Sequence, residues 1–470
     1  MMSFLLLLCS ICFVGNSESF FALVVDAGSK GSRMLIFEFS RDSLMSDLAV
    51  PKIYALKSIH PGISSFALNP SNVEAALQSL IDFAVHKLEA FEHMFAYYPL
   101  YLLGTAGVRD LLPVKRDAVM FFIDKVLSAS PFSFHTKQAT VISGEAEAAF
   151  AWLTLNIQTL SENGFRDSIG VIDLGGASLQ VAFVPTKGHY VLEHFFPMDI
   201  QLKNPISLYA KSYLHFGAIE ANRRLDAMII SDALLTVESL SQIDNPCFNS
   251  GMEYVPDFAS DSFQIPIQVK MRGAGNFFGC ESLVKRLFVK TSECWVKECT
   301  FGGVYQPRTQ GRTFAAISTI GKVAISLGLG KESSLEEFKK IAQKVCSIPH
   351  EKLSKTYSKV KDIERDSFCF NAVYVYTLLT YGLGFPEDLP SSQIQFISDE
   401  DVHDPRSSTD WAFGAIVWQV NRLKPKVINA FLDKTSQSMI DYSQTNATRV
   451  SQHTRTSYAF DGLRLSYLLI

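Results

Sequence analysis

The feature that most constrains this chain is an internal echo. Val24–Val–Asp–Ala–Gly–Ser29 recurs far downstream as Val171–Ile–Asp–Leu–Gly–Gly176. Each copy starts as a short apolar run, Ala22 to Val25 or Ile169 to Ile172, and ends in an aspartate and a glycine-containing turn. A second apolar run follows, Met34 to Phe39 in one case and Leu179 to Val184 in the other. Apolar runs rich in branched residues on both sides of a Gly/Ser turn predict a β-hairpin. Copies a whole domain's length apart exclude a solenoid and predict two similar α/β halves. The 470 residues suffice for both, and 47 % hydrophobic with 19 % charged residues fits a packed globular protein.

Between the hairpins, Val73 to Phe95 and Arg116 to Ser128 carry apolar residues at helical spacing. Leu100 to Leu103 and Ala139 to Ile142 read as strands, and a helix is expected from Glu145 onward. Further helices are expected at Ser334 to Val345 and Ala372 to Tyr381. From Asn245 to about Gln310, Cys, Gly, Pro and aromatic residues dominate, which predicts an irregular insertion held by disulfides. Gln437 to Ser457 is polar and reads as a loosely ordered tail.

The amino terminus carries the apolar run Phe4 to Val14 followed by polar Asn16 to Ser19. That run is shorter than the roughly 20 residues a bilayer span needs, so a cleaved secretory signal is expected at 1–19, with an uncleaved anchor as the alternative. Nothing later reaches spanning length, so the mature chain is expected in the secreted fraction or the lumen of the endoplasmic reticulum or Golgi. Cysteine usage agrees with that compartment. Of eight cysteines, six remain after the leader, and proximity suggests Cys247–Cys280, Cys294–Cys299 and Cys346–Cys369 among the possible pairings. A glycosylation sequon occurs at Asn446. With 43 basic and 47 acidic residues and no long run of either sign, a field for binding nucleic acid is not expected.

The loop Asp26–Ala–Gly–Ser–Lys–Gly–Ser–Arg33 combines two flexible glycines, two hydroxyls and two cations. Successive backbone N–H groups in such a bend cradle phosphate oxygens, although the spacing is not that of a Walker A loop. The second copy, Asp173–Leu–Gly–Gly–Ala–Ser–Leu–Gln180, predicts a facing loop, and the two together could hold a polyphosphate. Carboxylates beside a polyphosphate call for an intervening hydrated cation, which makes Asp26 and Asp173 candidates for Mg²⁺ or Ca²⁺, or else aspartates capping their own turns. Ser29 and Ser178 could donate to phosphate or to an attacking water, and Gln180 could orient that water. Leu103 to Arg109 adds a hydroxyl at Thr105, a close approach at Gly107 and a cation at Arg109. Glu145 and Glu147 open the helix after Ser143; either favours the helix dipole or takes a proton from water.

Read in order, DAGSKGSR, LLGTAGVRDL, ISGEAEAAFAW, VIDLGGASLQ and SFCFNAVYVYTLL with the later DWAFGA resemble the five conserved regions of the apyrases, the nucleoside triphosphate diphosphohydrolase family. HPGISSFALNP, LYAKSYLHFG, NPCF and CTFGGVYQP resemble its connecting segments, and the resemblance runs from about Phe21 to about Leu423. It implies an α/β fold of two ribonuclease-H-like, actin-like domains around a nucleotide cleft. The expected division is 20–142 with 411–470, and 143–410. The resemblance further implies hydrolysis of nucleoside tri- and diphosphates to monophosphates, with Ca²⁺ or Mg²⁺. A slow or non-catalytic nucleotide-binding protein of the same superfamily is the alternative. In the family the base is the Glu five residues before the Trp of the third region, here Glu147. Asp26 and Asp173 are implied as linked to the metal, and Ser178 and Gln180 as positioning the water. The implied phosphate set is Ser29, Lys30, Gly31, Ser32, Arg33, Thr105, Ala106, Gly107, Gly175, Gly176 and Ala177. Lys30 stands where the family usually has Ser or Thr, Ala146 and Ala148 replace Glu and Gly, and Asn371 replaces Asp or Ser.

Overall fold

The computed structural model describes residues 19–423 apart from 163–167, 187–189, 201–205, 236–241, 257, 259–268, 291–292, 297, 358–364, 389, 391–392 and 399–409. Most of the leader, the sequon and the polar tail therefore lie outside the described residues.

Two sheets share one plan. Strands β1 (Phe20–Ala27), β2 (Ser32–Phe39), β3 (Lys52–Ile59), β4 (Leu100–Gly104) and β5 (Ala139–Val141) form the first, in the order β3-β2-β1-β4-β5. The second half supplies β6 (Gly170–Leu174), β7 (Ser178–Phe183), β8 (Phe195–Met198), β9 (Ile206–Leu214), β10 (Gln242–Asn245), β11 (Glu253–Tyr254), β12 (Lys270–Gly273), β13 (Phe314–Ser318) and β14 (Ile394–Phe396). Six of them form the sheet β14-β13-β6-β7-β9-β8. Its run β9-β7-β6-β13-β14 repeats the first sheet strand for strand, with antiparallel pairing on one side of the central strand and parallel pairing on the other. The central strands β1 and β6 are buried along their whole length because helices cover both faces, which is why they read as unbroken apolar runs. The edge strand β3 instead alternates exposed and half-buried residues, and no expectation was placed on it.

Helix Gly144–Glu162 packs against both sheets. Its Ala148, Phe150 and Trp152 share a core with Leu35 and Leu102 of the first sheet and Ala182 and Ala210 of the second. The helical segment 411–423 returns to the first half: Phe413 meets Phe37 edge-on, and the Asn421 side chain exchanges hydrogen bonds with the Ala49 backbone. It crosses the Gly144–Glu162 helix at Gly414, where an added Cβ would lie 2.1 Å from Phe150 O. Emptying either Phe37 or Phe413 to alanine would leave a core cavity costing about 3–5 kcal/mol.

Three expectations are corrected. The described part of the Asn245 to Gln310 insertion is not irregular throughout, since it holds most of the small sheet β10-β12-β11 and helix Phe277–Leu287. That helix starts on Asn276, whose side chain accepts from Gly279 N, and buries Phe277, Cys280, Val284 and Leu287. The period is short and interrupted by Gly279 and polar residues, so composition masks it. The Val73 to Phe95 stretch is not one helix: it ends at Lys87, then tight 3₁₀ turns run over Glu89–Tyr97, with Phe91 off helical geometry. The Ala372 to Tyr381 helix begins earlier, at Phe368, and widens to a π turn over Leu378–Gly382. Disulfides join Cys247 to Cys280, Cys294 to Cys299 and Cys346 to Cys369. The third ties helix Leu335–Ser347 to helix Phe368–Thr377 beneath the second sheet.

Candidate active site

Each hairpin places its aspartate at the end of a central strand, opposite a residue of the returning strand. Asp26 pairs with Arg33, and Asp173 pairs with Gln180. Arg33 donates to Asp26 through Nε, at 3.1 Å, and through Nη2, while its Nη1 lies 2.9 Å from Asp410. Gln180 instead donates from Nε2 to Ser178 Oγ and, at 3.1 Å, to Ser212 Oγ. Sequence reasoning missed Asp410 and Ser212. Asp410 heads the quoted DWAFGA segment and Ser212 sits within the quoted LYAKSYLHFG segment, but neither residue has a local signal of its own.

The two turns meet. A Cβ on Gly176 of the second turn would lie 2.8 Å from Ser29 Oγ and 3.2 Å from Lys30 Cε of the first. One on Gly107 would lie 2.7 Å from Ser29 Cα. Only glycine allows such approach, so the backbone itself forms the walls where the three segments converge. Thr105, Ala106 and Gly107 follow β4, and Gly175, Gly176 and Ala177 link β6 to β7. Gly31 is closed in by Ile59 O and by His60, whose Nδ1 is 3.0 Å from Lys30 O.

Some of these hydroxyls already serve the scaffold. Ser32 is fully buried, with its Oγ accepting from Ile63 N at 3.1 Å, and Thr105 Oγ1 donates to Ala27 O at 3.3 Å. Ser29 and Lys30 remain at the turn's surface.

Glu147 sits in the first turn of its helix, which Ser143 opens by accepting from Ala146 N. Its carboxylate accepts from Arg109 Nη1 at 2.9 Å, and the same Nη1 donates to Ile142 O at 3.0 Å. Burial pushes the Glu147 pKa up to about 7. Arg109 opposes the rise, and the negative fields of Asp173 and Asp26 add to it. Burial likewise raises Asp26 to about 6, against Arg33 and with Asp410. Glu145 points elsewhere, with Oε1 3.9 Å from Lys211 Nζ, and is far more exposed. Burial thus separates two glutamates that residue type and helix position alone left equivalent.

Three polar atoms here are buried without a hydrogen-bond partner among the described residues: Asp26 Oδ1, Arg109 Nη2 and Gln180 Oε1. A buried oxygen of that kind suits a cation or water as partner. Among the described residues no group of three or more His, Cys, Asp or Glu is gathered to hold a metal alone. A hydrated cation sharing its shell with phosphate oxygens needs fewer protein ligands, so Asp26 and Asp173 fit that role.

The repeated five-strand plan with a glycine turn from each half at the crossing defines an α/β, actin-like protein of two ribonuclease-H-like halves. The comparisons narrow the class. The chain belongs to the GDA1/CD39 (nucleoside phosphatase) family, whose pattern matches residues 13–433. It is accordingly an enzyme of the apyrase class. It is 28 % identical over 421 residues to "Probable apyrase 5" of Arabidopsis thaliana, covering 87 % of this chain and 84 % of that one. It is 28 % identical to "Ectonucleoside triphosphate diphosphohydrolase 1" of Bos taurus, covering 78 % and 75 %. In fold it resembles a crystal structure of nucleoside triphosphate hydrolases from Neospora caninum, with a TM-score of 0.61 at 15 % identity over 90 % of this chain and 96 % of that one.

Proposed function

We propose that this phosphatase hydrolyses nucleoside tri- and diphosphates to monophosphates and phosphate, with Glu147 as general base. The observation that carries the reading is Glu147 itself, a buried carboxylate near neutral pKa that feels the charges of the aspartates from both hairpins. The backbone N–H groups of Ser29 to Gly31, of Ala106 and Gly107, and of Gly176 and Ala177 grip the phosphate chain, with Ser29 and Lys30 adding a hydroxyl and a charge, while the Thr105 and Gly175 N–H groups are spent on Ala27 O and Ser178 O. Ser32 and Arg33 brace the first turn from behind.

Ser178 and Gln180 hold the water. Gln180 is fixed through Nε2, so its unpartnered Oε1 accepts a hydrogen bond from one O–H of that water. Glu147 takes the other proton as the water oxygen bonds to the terminal phosphorus; the bridging P–O bond breaks and its electrons leave with the shortened nucleotide, without a phosphoenzyme. Asp26 and Asp173 would hold a divalent cation, Ca²⁺ or Mg²⁺. When bound, it neutralises charge on the phosphate oxygens.

Three disulfides favour an oxidising compartment, secreted or luminal. No helix among the described residues is long and apolar enough to cross a membrane. Phosphate release from ADP and ATP by purified protein tests the reading. Steady turnover to AMP is expected, and binding without turnover would favour the non-catalytic alternative.

A further inference from the structure

His215 lies outside the machinery described above, yet its backbone and side chain reach both sides of it. It follows β9 with φ +66°, left-handed in a residue that carries a Cβ. Such geometry is uncommon outside glycine and persists where the surroundings impose it. Here they do. His215 N donates to Ala177 O of the second turn at 2.8 Å, and His215 O accepts from Arg224 Nη1 at 3.1 Å. The Arg224 guanidinium stacks 4.5 Å from the Phe216 ring, and Phe216 O accepts from Tyr374 at 2.6 Å. Gly217 backs the same turn so closely that a Cβ there would lie 2.4 Å from Ala177 N.

This conformation sends the imidazole out of its own half. Its Nε2 lies 3.5 Å from Asp110 Oδ1 of the first half, a small closing movement short of a hydrogen bond. Asp110 ends the Ala106–Arg109 turn, with its N–H bonded to Ala106 O at 3.0 Å. It directly follows Arg109, which holds Glu147. One contact therefore links the turn containing Ala177 to the segment carrying Gly107 and the partner of the general base.

We propose that His215 is a positioning residue. Through Asp110 it fixes the distance between the two phosphate turns and steadies the cleft around a bound phosphate chain. The inference rests on the phosphohydrolase reading of the site.

The test uses His215→Gly, His215→Asn, Asp110→Asn, Asp110→Glu and the double variant His215→Asn with Asp110→Asn. KM and kcat for ADP are measured at saturating divalent cation, together with thermal denaturation. Glycine and asparagine both accept a left-handed backbone, so neither should lower the melting temperature. Asparagine lacks glycine's flexibility and is too short to reach Asp110. Both variants and Asp110→Asn should raise KM about 5- to 20-fold with kcat changed less than about threefold, as for a contact coupling of ordinary size. Asp110→Glu should remain within about twofold of the parent, and the double variant should be no worse than the singles.

A parental KM in His215→Asn or Asp110→Asn overturns the proposal, as do fully additive effects in the double variant. A parent that turns over no nucleotide defeats the underlying reading instead, and is told apart because the parent itself fails.

Discussion

The two hairpins that open the halves of this protein have the same strands, the same register and opposite chemistry. In the first, the residue facing the aspartate is Arg33, and it binds both Asp26 and Asp410. In the second it is Gln180, and it turns away from Asp173 toward Ser178 and Ser212. A duplicated scaffold therefore supplies one hairpin where an arginine bridges two carboxylates and one where the residue opposite the buried Asp173 is a neutral amide bonded to hydroxyls. The lesson is a division of labour. In the first hairpin the facing residue neutralises part of the aspartate's charge, and in the second it leaves an amide oxygen without a hydrogen-bond partner among the described residues.

The largest test concerns the group that neither hairpin provides. Glu147→Gln should lower kcat by about 10²–10⁴-fold while sparing nucleotide affinity, measured by phosphate release and by binding of a non-hydrolysable analogue. Turnover near the parent's would show that Glu147 is not the base. The same variant should raise the melting temperature at pH 8 more than at pH 4.5. Because burial raises the native pKa from 4.5 to about 7, ionisation costs native stability as pH climbs through that window, and glutamine is exempt.

A second test exchanges the facing residues. Gln180→Arg should reduce kcat roughly 100-fold, since it replaces the water's acceptor with a donor, on the scale of losing one positioned group at a transition state. Arg33→Gln should act instead on stability. It leaves Asp26 buried without its cation, though Arg33 is partly solvated, so a loss of about 1–2 kcal/mol in denaturant unfolding is expected. Equal effects of the two exchanges on kcat would remove the asymmetry argued above.

The pH profile sharpens the contrast further. With a base near 7, kcat/KM should fall about tenfold for each unit of acidification below that value. Arg109→Met should move this limb to higher pH, because Arg109 is what holds the carboxyl down. An unmoved limb would assign the titration to another group. The smallest effects belong to the turns. Gly107→Ala presses on the Ser29 backbone and should raise KM about tenfold, whereas Gly176→Ala meets the Ser29 hydroxyl, which rotates away, and should raise it about threefold.

Much of this was legible beforehand, for a local reason. β1, β2, β6 and β7 are contiguous apolar runs, and the Asp–Gly turns between them are written in consecutive residues. The echo of one hairpin by the other announced the duplicated fold. β3 was not legible because an edge strand with one half-covered face shows only weak alternation, Tyr54 and Leu56 being exposed. Helix Phe277–Leu287 was hidden by a composition that suggested irregularity.

By itself the sequence determined the strands, the two turns and their aspartates, because each is fixed by neighbours along the chain. Only the tertiary structure decided which charges meet. Arg109 reaches Glu147 across 38 residues and Gln180 reaches Ser212 across 32, and Asp410 arrives at Arg33 from the far end of the chain. Those pairings follow from the order of strands in the sheets and the helices that cover them. The raised pKa of Glu147 has the same origin, since burial is a property of the packed fold and not of any stretch of residues.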